Sequence, residues 1–152
     1  MLDSFQRAIT YLRVSVTDKC DLRCVYCMPA EGVPALRHED LLSFEEIAEV
    51  VRAAVSLGVT KVRLTGGEPL VRRGIVSLVS LLSEIKGIQD LAMTTNGQRL
   101  AGVARDLAGA GLHRINISVD TLDPVRYGEI TRGGDLNKLI DGIHAAREAG
   151  LT

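Results

Sequence analysis

An α/β fold, a partial (βα) barrel with parallel strands and outer helices that stops after about four βα units, is what the sequence predicts. Two patterns point to it. Short alternating strands recur between amphipathic helices, and the loops of unusual composition each follow a strand and precede a helix. Such alternation builds right-handed βαβ units, which make neighbouring strands parallel and place the helices outside.

The elements follow in order. Residues 11–16 alternate as a half-buried strand does, and the loop after them carries Cys20, Cys24 and Cys27 and runs through Pro29 and Pro34. Ser43 with Glu46 forms a capping box that starts a helix, and Gly58 ends it. Residues 61–65 form the second strand and lead into Gly66-Gly67-Glu68-Pro69. A helix over 75–85 stops at Gly87, a third strand over 91–95 meets Asn96-Gly97, and a helix over 100–110 stops at Gly111. The fourth strand covers 114–119. Asp123 caps a short helix with Pro124 in its first turn, and Asp135 caps the last helix, which runs to Ala149 before Gly150. A further strand is due where the sequence reaches Leu151-Thr152, hence the expectation of a shortened barrel.

Composition narrows the function. The 152 residues suffice for one domain with a real core, and 46% hydrophobic against 24% charged residues is the balance of a globular protein. A net charge of −1 gives no broad basic surface for nucleic acid or anionic membrane, and 3% aromatics leaves little for stacking bases. No run approaches the roughly 20 apolar residues of a membrane span, and the N-terminus lacks a signal peptide's basic and apolar regions. A cytoplasmic protein with no nucleic-acid or membrane partner is expected.

Parallel α/β folds collect their strand-to-helix loops at one rim, where ligands bind. Here that rim gathers the cysteine loop, Gly66-Gly67-Glu68-Pro69, Thr94-Thr95-Asn96-Gly97 and Ser118-Val119-Asp120. Strand alternation sorts the faces. Leu12, Val14, Val16, Val62, Leu64, Leu91, Met93, Ile115, Ile117 and Val119 form an apolar side for the helices. The other side carries Arg13, Ser15, Arg63, Thr65, Ala92, Thr94, Asn116, Ser118 and Asp120. Barrel interiors are ordinarily filled by branched apolar side chains. A polar interior instead implies a hydrated cavity, and Arg13 and Arg63, at matching parity on neighbouring strands, are expected to enter it together and meet an anion. The alternative is a sheet with one solvated face.

All three cysteines fall between positions 20 and 27, a spacing that suits metal chemistry better than a disulfide framework. A [4Fe–4S] cube takes one protein ligand per iron, so three thiolates leave one iron open to a small molecule. A Cys3His zinc site with His38 is the competing chemistry, although zinc ligands usually come as separated pairs.

Cys20-x3-Cys24-x2-Cys27 after a first strand, with Tyr26 before the last cysteine, resembles the signature of the radical S-adenosylmethionine (SAM) superfamily. Gly66-Gly67-Glu68-Pro69 looks like its SAM-binding motif. Within that superfamily the chain is similar to the molybdenum cofactor biosynthesis protein A family, the GTP 3′,8-cyclases. The similarity runs through residues 11–20, residues 62–70 with Arg72-Arg73, residues 94–97 and residues 114–120. Lys19, Asp21 and Gln6 depart from the family's usual arginine, asparagine and glycine.

The resemblance implies a radical SAM core domain over residues 1–152, the N-terminal part of a longer enzyme whose C-terminal remainder and second cluster are absent here. It implies a [4Fe–4S] cluster on Cys20, Cys24 and Cys27, SAM against Tyr26, Gly67 and Ser118, and GTP against Arg13, Arg63 and Thr94. No catalytic side chain is assigned. The implied reaction is a lyase step that cyclises GTP to (8S)-3′,8-cyclo-7,8-dihydroguanosine 5′-triphosphate through a 5′-deoxyadenosyl radical. A low-potential electron donor would act upstream and cyclic pyranopterin monophosphate synthase downstream. Each role has a plainer reading: loop packing for Tyr26, a tight turn for Gly67, a solvated hydroxyl for Ser118, surface ion pairs for the arginines. Arg72 and Arg73 are read as flanking a helix start. Another radical SAM enzyme, such as a peptide-modifying one, and a zinc-binding α/β module remain the alternatives.

Overall fold

A computed structural model of the chain describes residues 2, 4–34 and 36–152. Among these, four strands form one parallel sheet in the order β1-β2-β3-β4: Tyr11–Ser15, Lys61–Thr65, Asp90–Thr95 and Arg114–Ile117. The register pairs Arg13 with Arg63, Leu64 with Met93 and Thr94 with Asn116, so like faces stack across the sheet. The predicted α/β architecture is present, strand by strand, with spatial order equal to sequence order.

Among the described residues five α-helices cover one face: α1 Phe44–Ser56, α2 Ile75–Ser83, α3 Ala104–Gly109, α4 Pro124–Thr131 and α5 Leu136–Glu148. The α1 capping box forms as expected, with the Glu46 N–H donating to Ser43 Oγ and the Ser43 N–H to the Glu46 carboxylate. Asp123 and Asp135 cap α4 and α5 by accepting from the Arg126 and Asn137 N–H groups. In α2 the buried residues Ile75, Leu78, Val79 and Leu82 recur at helical spacing and make the stripe that packs on the sheet. Leu12, Val14, Val16, Val62, Leu64, Leu91, Met93, Ile115 and Ile117 all join that core. A smaller cluster of Tyr127, Leu136 and Leu139 ties α4 to α5.

Two expectations change. The helix predicted over 100–110 is split: a 3-10 turn, Leu100–Gly102, precedes α3, and Val103 between them leaves the helical region, with φ −133° and ψ −3°. Val119 is 43% exposed, because β4 ends at Ile117 and the alternation stops there. Ala92, on the polar side, is buried. Gln6, at the position where the resemblance leads one to expect glycine, adopts a positive φ of 62°. After α5 the chain returns to the sheet, where the Ile115 N–H donates to the Thr152 carbonyl. Among the described residues no helix is long and apolar enough to cross a membrane.

Candidate metal and cofactor site

The cysteine loop is built by its own main chain and fastened to three other loops. Cys27 and Met28 N–H groups donate to the Cys24 carbonyl, closing one turn that brings Cys24 and Cys27 to the same side. The Leu22 N–H donates to Cys20 Sγ at 3.4 Å. From below, Gly67 and Glu68 N–H groups donate to the Thr17 and Lys19 carbonyls at 2.7 and 2.8 Å. That contact requires glycine. A Cβ at Gly66 would lie 2.4 Å from the Thr17 carbonyl oxygen, and one at Gly67 would lie 2.4 Å from that of Lys19. The side where a Gly67 side chain would stand is therefore filled by this chain's own backbone, and any ligand meets Gly67 from the cleft.

From the other side, the Arg23 and Val25 N–H groups donate to the Thr131 and Ile130 carbonyls at the end of α4. Arg132, in the left-handed conformation, donates to the Arg23 and Met28 carbonyls. Arg72 donates to the Val16 and Leu42 carbonyls, with its guanidinium 4.5 Å from the centre of the Phe44 ring. It flanks the start of α2, as expected, its carbonyl accepting from the Ile75 N–H, and its side chain also struts two loops together.

One open cleft is lined by Arg13, Cys20, Leu22, Cys24, Tyr26, Cys27, Thr65, Gly66, Gly67, Glu68, Thr94, Thr95, Asn96 and Ser118. Of the residues expected to hold the cluster, SAM or GTP, all but Arg63 are among them. Arg63 stands beside Arg13 in register, yet its guanidinium lies over the Tyr11 ring, 5.6 Å from the centroid. Its Nε is buried with no hydrogen-bond acceptor among the described residues. The two arginines therefore do not enter the cleft together, because the aromatic face beside Arg63 draws its side chain aside.

Glu68, visible in the sequence only as a member of its motif, also lines the cleft. It is 1% exposed, and its carboxylate accepts from the Leu70 N–H, the Thr95 hydroxyl and the Asn96 N–H at 2.9, 2.7 and 2.6 Å. Burial pushes its pKa up against those three donors. Asp120, just past β4, accepts the Tyr26 hydroxyl at 2.8 Å, and that bond holds the phenol well above its ordinary pKa.

The thiols are unbridged, and burial lifts the pKa of Cys20 and Cys24. Among the described residues no three His, Cys, Asp or Glu side chains converge on a point that would hold a single ion. A cube with one thiolate on each of three irons needs no such convergence, and three thiols along an open cleft fit its donor set. The side chain of His38, the candidate fourth zinc ligand, lies outside the described residues.

The family model described as the Radical SAM superfamily matches residues 14–152. The chain is 54% identical over 152 residues to the GTP 3′,8-cyclase of Peptoclostridium acidaminophilum, covering all of this chain and 47% of that protein. It is 58% identical over 151 residues to the GTP 3′,8-cyclase of Pelotomaculum thermopropionicum, covering 99% and 46%. The chain thus spans a little under half the length of these relatives. Among solved structures, Streptococcus suis SuiB bound to S-adenosylmethionine superposes with a TM-score of 0.75 at 25% identity, over 93% of this chain and 32% of that one. A family match over nine-tenths of the sequence, on a fold whose loops meet in the expected cleft, places this chain in the radical SAM superfamily.

Proposed function

We propose that residues 1–152 are the N-terminal part of the core domain of a GTP 3′,8-cyclase. In this reading Cys20, Cys24 and Cys27 hold a [4Fe–4S] cluster, Tyr26, Gly67 and Ser118 hold SAM, and Arg13, Arg63 and Thr94 hold GTP. One observation carries it: the cysteines, the glycine pair and the polar strand ends line a single cleft. Identity of 54% and 58% to enzymes named GTP 3′,8-cyclase supports the choice of substrate.

When bound, the cluster and SAM supply the one-electron radical chemistry, which belongs to the cofactors rather than to the protein. The chain's own residues bind and position. Cys20 and Cys24 give up protons on taking iron, since a thiolate is the ligand. Arg13 offers a planar fork to phosphate oxygens from the cleft wall. Arg63, with its Nε unsatisfied, gains an acceptor if a triphosphate reaches it. Thr94 and Ser118 offer hydroxyls from the ends of β3 and β4. The cleft holds about 230 Å³, below the ~300–1,000 Å³ of pockets that enclose a drug-sized ligand. SAM and GTP together therefore need walls beyond these residues, which accords with relatives twice as long. The wider setting we propose is molybdenum cofactor biosynthesis, with a low-potential electron donor and cyclic pyranopterin monophosphate synthase as partners.

Isothermal titration of GTP into the cluster-loaded holoenzyme tests the substrate. Arg13→Ala is expected to weaken GTP binding about ten- to a hundredfold, at about 1.4 kcal/mol per decade, and to leave SAM binding unchanged. Unchanged GTP affinity in both Arg13→Ala and Arg63→Ala contradicts the assignment.

A further inference from the structure

The loop after β3 reaches across the cleft to the first cysteine. Asn96 is held at three points: its N–H donates to Glu68 Oε2 at 2.6 Å, its Oδ1 accepts from the Gln98 N–H at 3.0 Å, and its Nδ2 donates to Asp21 Oδ1 at 2.8 Å. Because Oδ1 is committed to a main-chain donor, the carboxamide can face only one way. That orientation turns Nδ2 toward Cys20 Sγ, 3.9 Å away. The neighbouring Asp21 is fixed from its other oxygen by Arg99 Nε at 2.8 Å. A chain of bonds from buried Glu68 through Asn96 and Asp21 to Arg99 thus sets a donor beside one particular sulfur.

We propose that Asn96 is a positioning residue for a cluster carried by Cys20, and that its N–H donation to the Cys20 sulfur raises the reduction potential of that cluster. The proposal rests on the iron–sulfur reading above. Reduction adds one negative charge to the cluster and its thiolates, and donors to sulfur favour the more negative state. In a partly buried loop that preference is screened less than in water. The Leu22 N–H on the same sulfur acts in the same direction, but only the side chain of Asn96 can be exchanged without moving the backbone.

Two substitutions separate the electronic role from a structural one. Asn96→Ala removes the donor. Asn96→Asp keeps an oxygen for the Gln98 N–H and the main-chain bond to Glu68, but turns a carboxylate oxygen toward Cys20 and Asp21. The measurement is a redox titration of the anaerobically reconstituted protein without SAM, followed by electron paramagnetic resonance. At the poise where wild type is half reduced, the reduced-to-oxidised ratio of Asn96→Ala is expected to fall about tenfold, or about 59 mV for a one-electron couple, and that of Asn96→Asp to fall further. If Asn96→Ala loads no cluster, the shift in Asn96→Asp decides alone. Equal potentials, or an Asn96→Asp potential above wild type, overturn this proposal and leave the cluster assignment standing. A wild-type protein that takes up no iron overturns both.

Discussion

A buried carboxylate is tolerated only where donors surround it, and Glu68 has three. Glu68→Ala strands the Thr95 hydroxyl and the Leu70 and Asn96 N–H groups, at about 1–3 kcal/mol for each buried unsatisfied group. Urea unfolding should therefore show a loss of at least about 3 kcal/mol, and a negligible loss would mean that water replaces the carboxylate. The pH dependence has a definite sign. Burial raises the folded pKa of Glu68, so its contribution is complete below the ordinary carboxyl value of about 4.3 and is lost as pH rises through the raised value. Stability relative to Glu68→Gln should decline over that range. None of this was legible in the sequence, where Glu68 and Asn96 appear as members of ligand-binding motifs. Motif spacing records which residues sit in a loop, whereas burial and hydrogen-bond partners come from loops far apart in the chain.

At the scale of elements, the sheet is fastened at its lower end by Asp90 of β3 and Arg114 of β4, which form a bidentate pair. The Arg114 guanidinium holds the Asp90 carboxyl below its ordinary pKa. This contribution is present above the unfolded value of about 3.9 and is lost as pH falls through the lowered one. Asp90→Asn should be less stable than wild type near neutrality, and thermal melts of the two should converge in acid. At the upper end the C-terminus of α4 clasps the cysteine loop. Arg132→Ala should speed hydrogen exchange at the Arg23 and Val25 amides, which bond to α4 carbonyls, and leave the amides of β2 protected; unchanged exchange contradicts the clasp. The strands and most caps were legible because alternation and capping are local. The break at Val103 was not, since Gly102 was its only local mark within an otherwise helical pattern. The clasp by Arg132 joins residues more than one hundred positions apart and leaves no pattern in either segment.

Across the whole molecule, parallel order explains why the chemistry meets in one place. Four βα units in sequence order bring the cysteine loop, the glycine pair and the ends of β3 and β4 to one rim. That convergence was readable from strand–loop–helix order alone. The position of Arg63 was not, because strand parity fixes the face of the sheet and not the ring its guanidinium then finds. The central claim is that three thiolates on that rim carry an iron–sulfur cube. Iron and sulfide analysis after anaerobic reconstitution, with electron paramagnetic resonance of the reduced protein, tests it most directly. One oxygen-sensitive [4Fe–4S] cluster per chain is expected in wild type, lost in Cys24→Ser. Stoichiometric zinc with no iron uptake under reducing conditions, or a full cluster retained by Cys24→Ser, would contradict it.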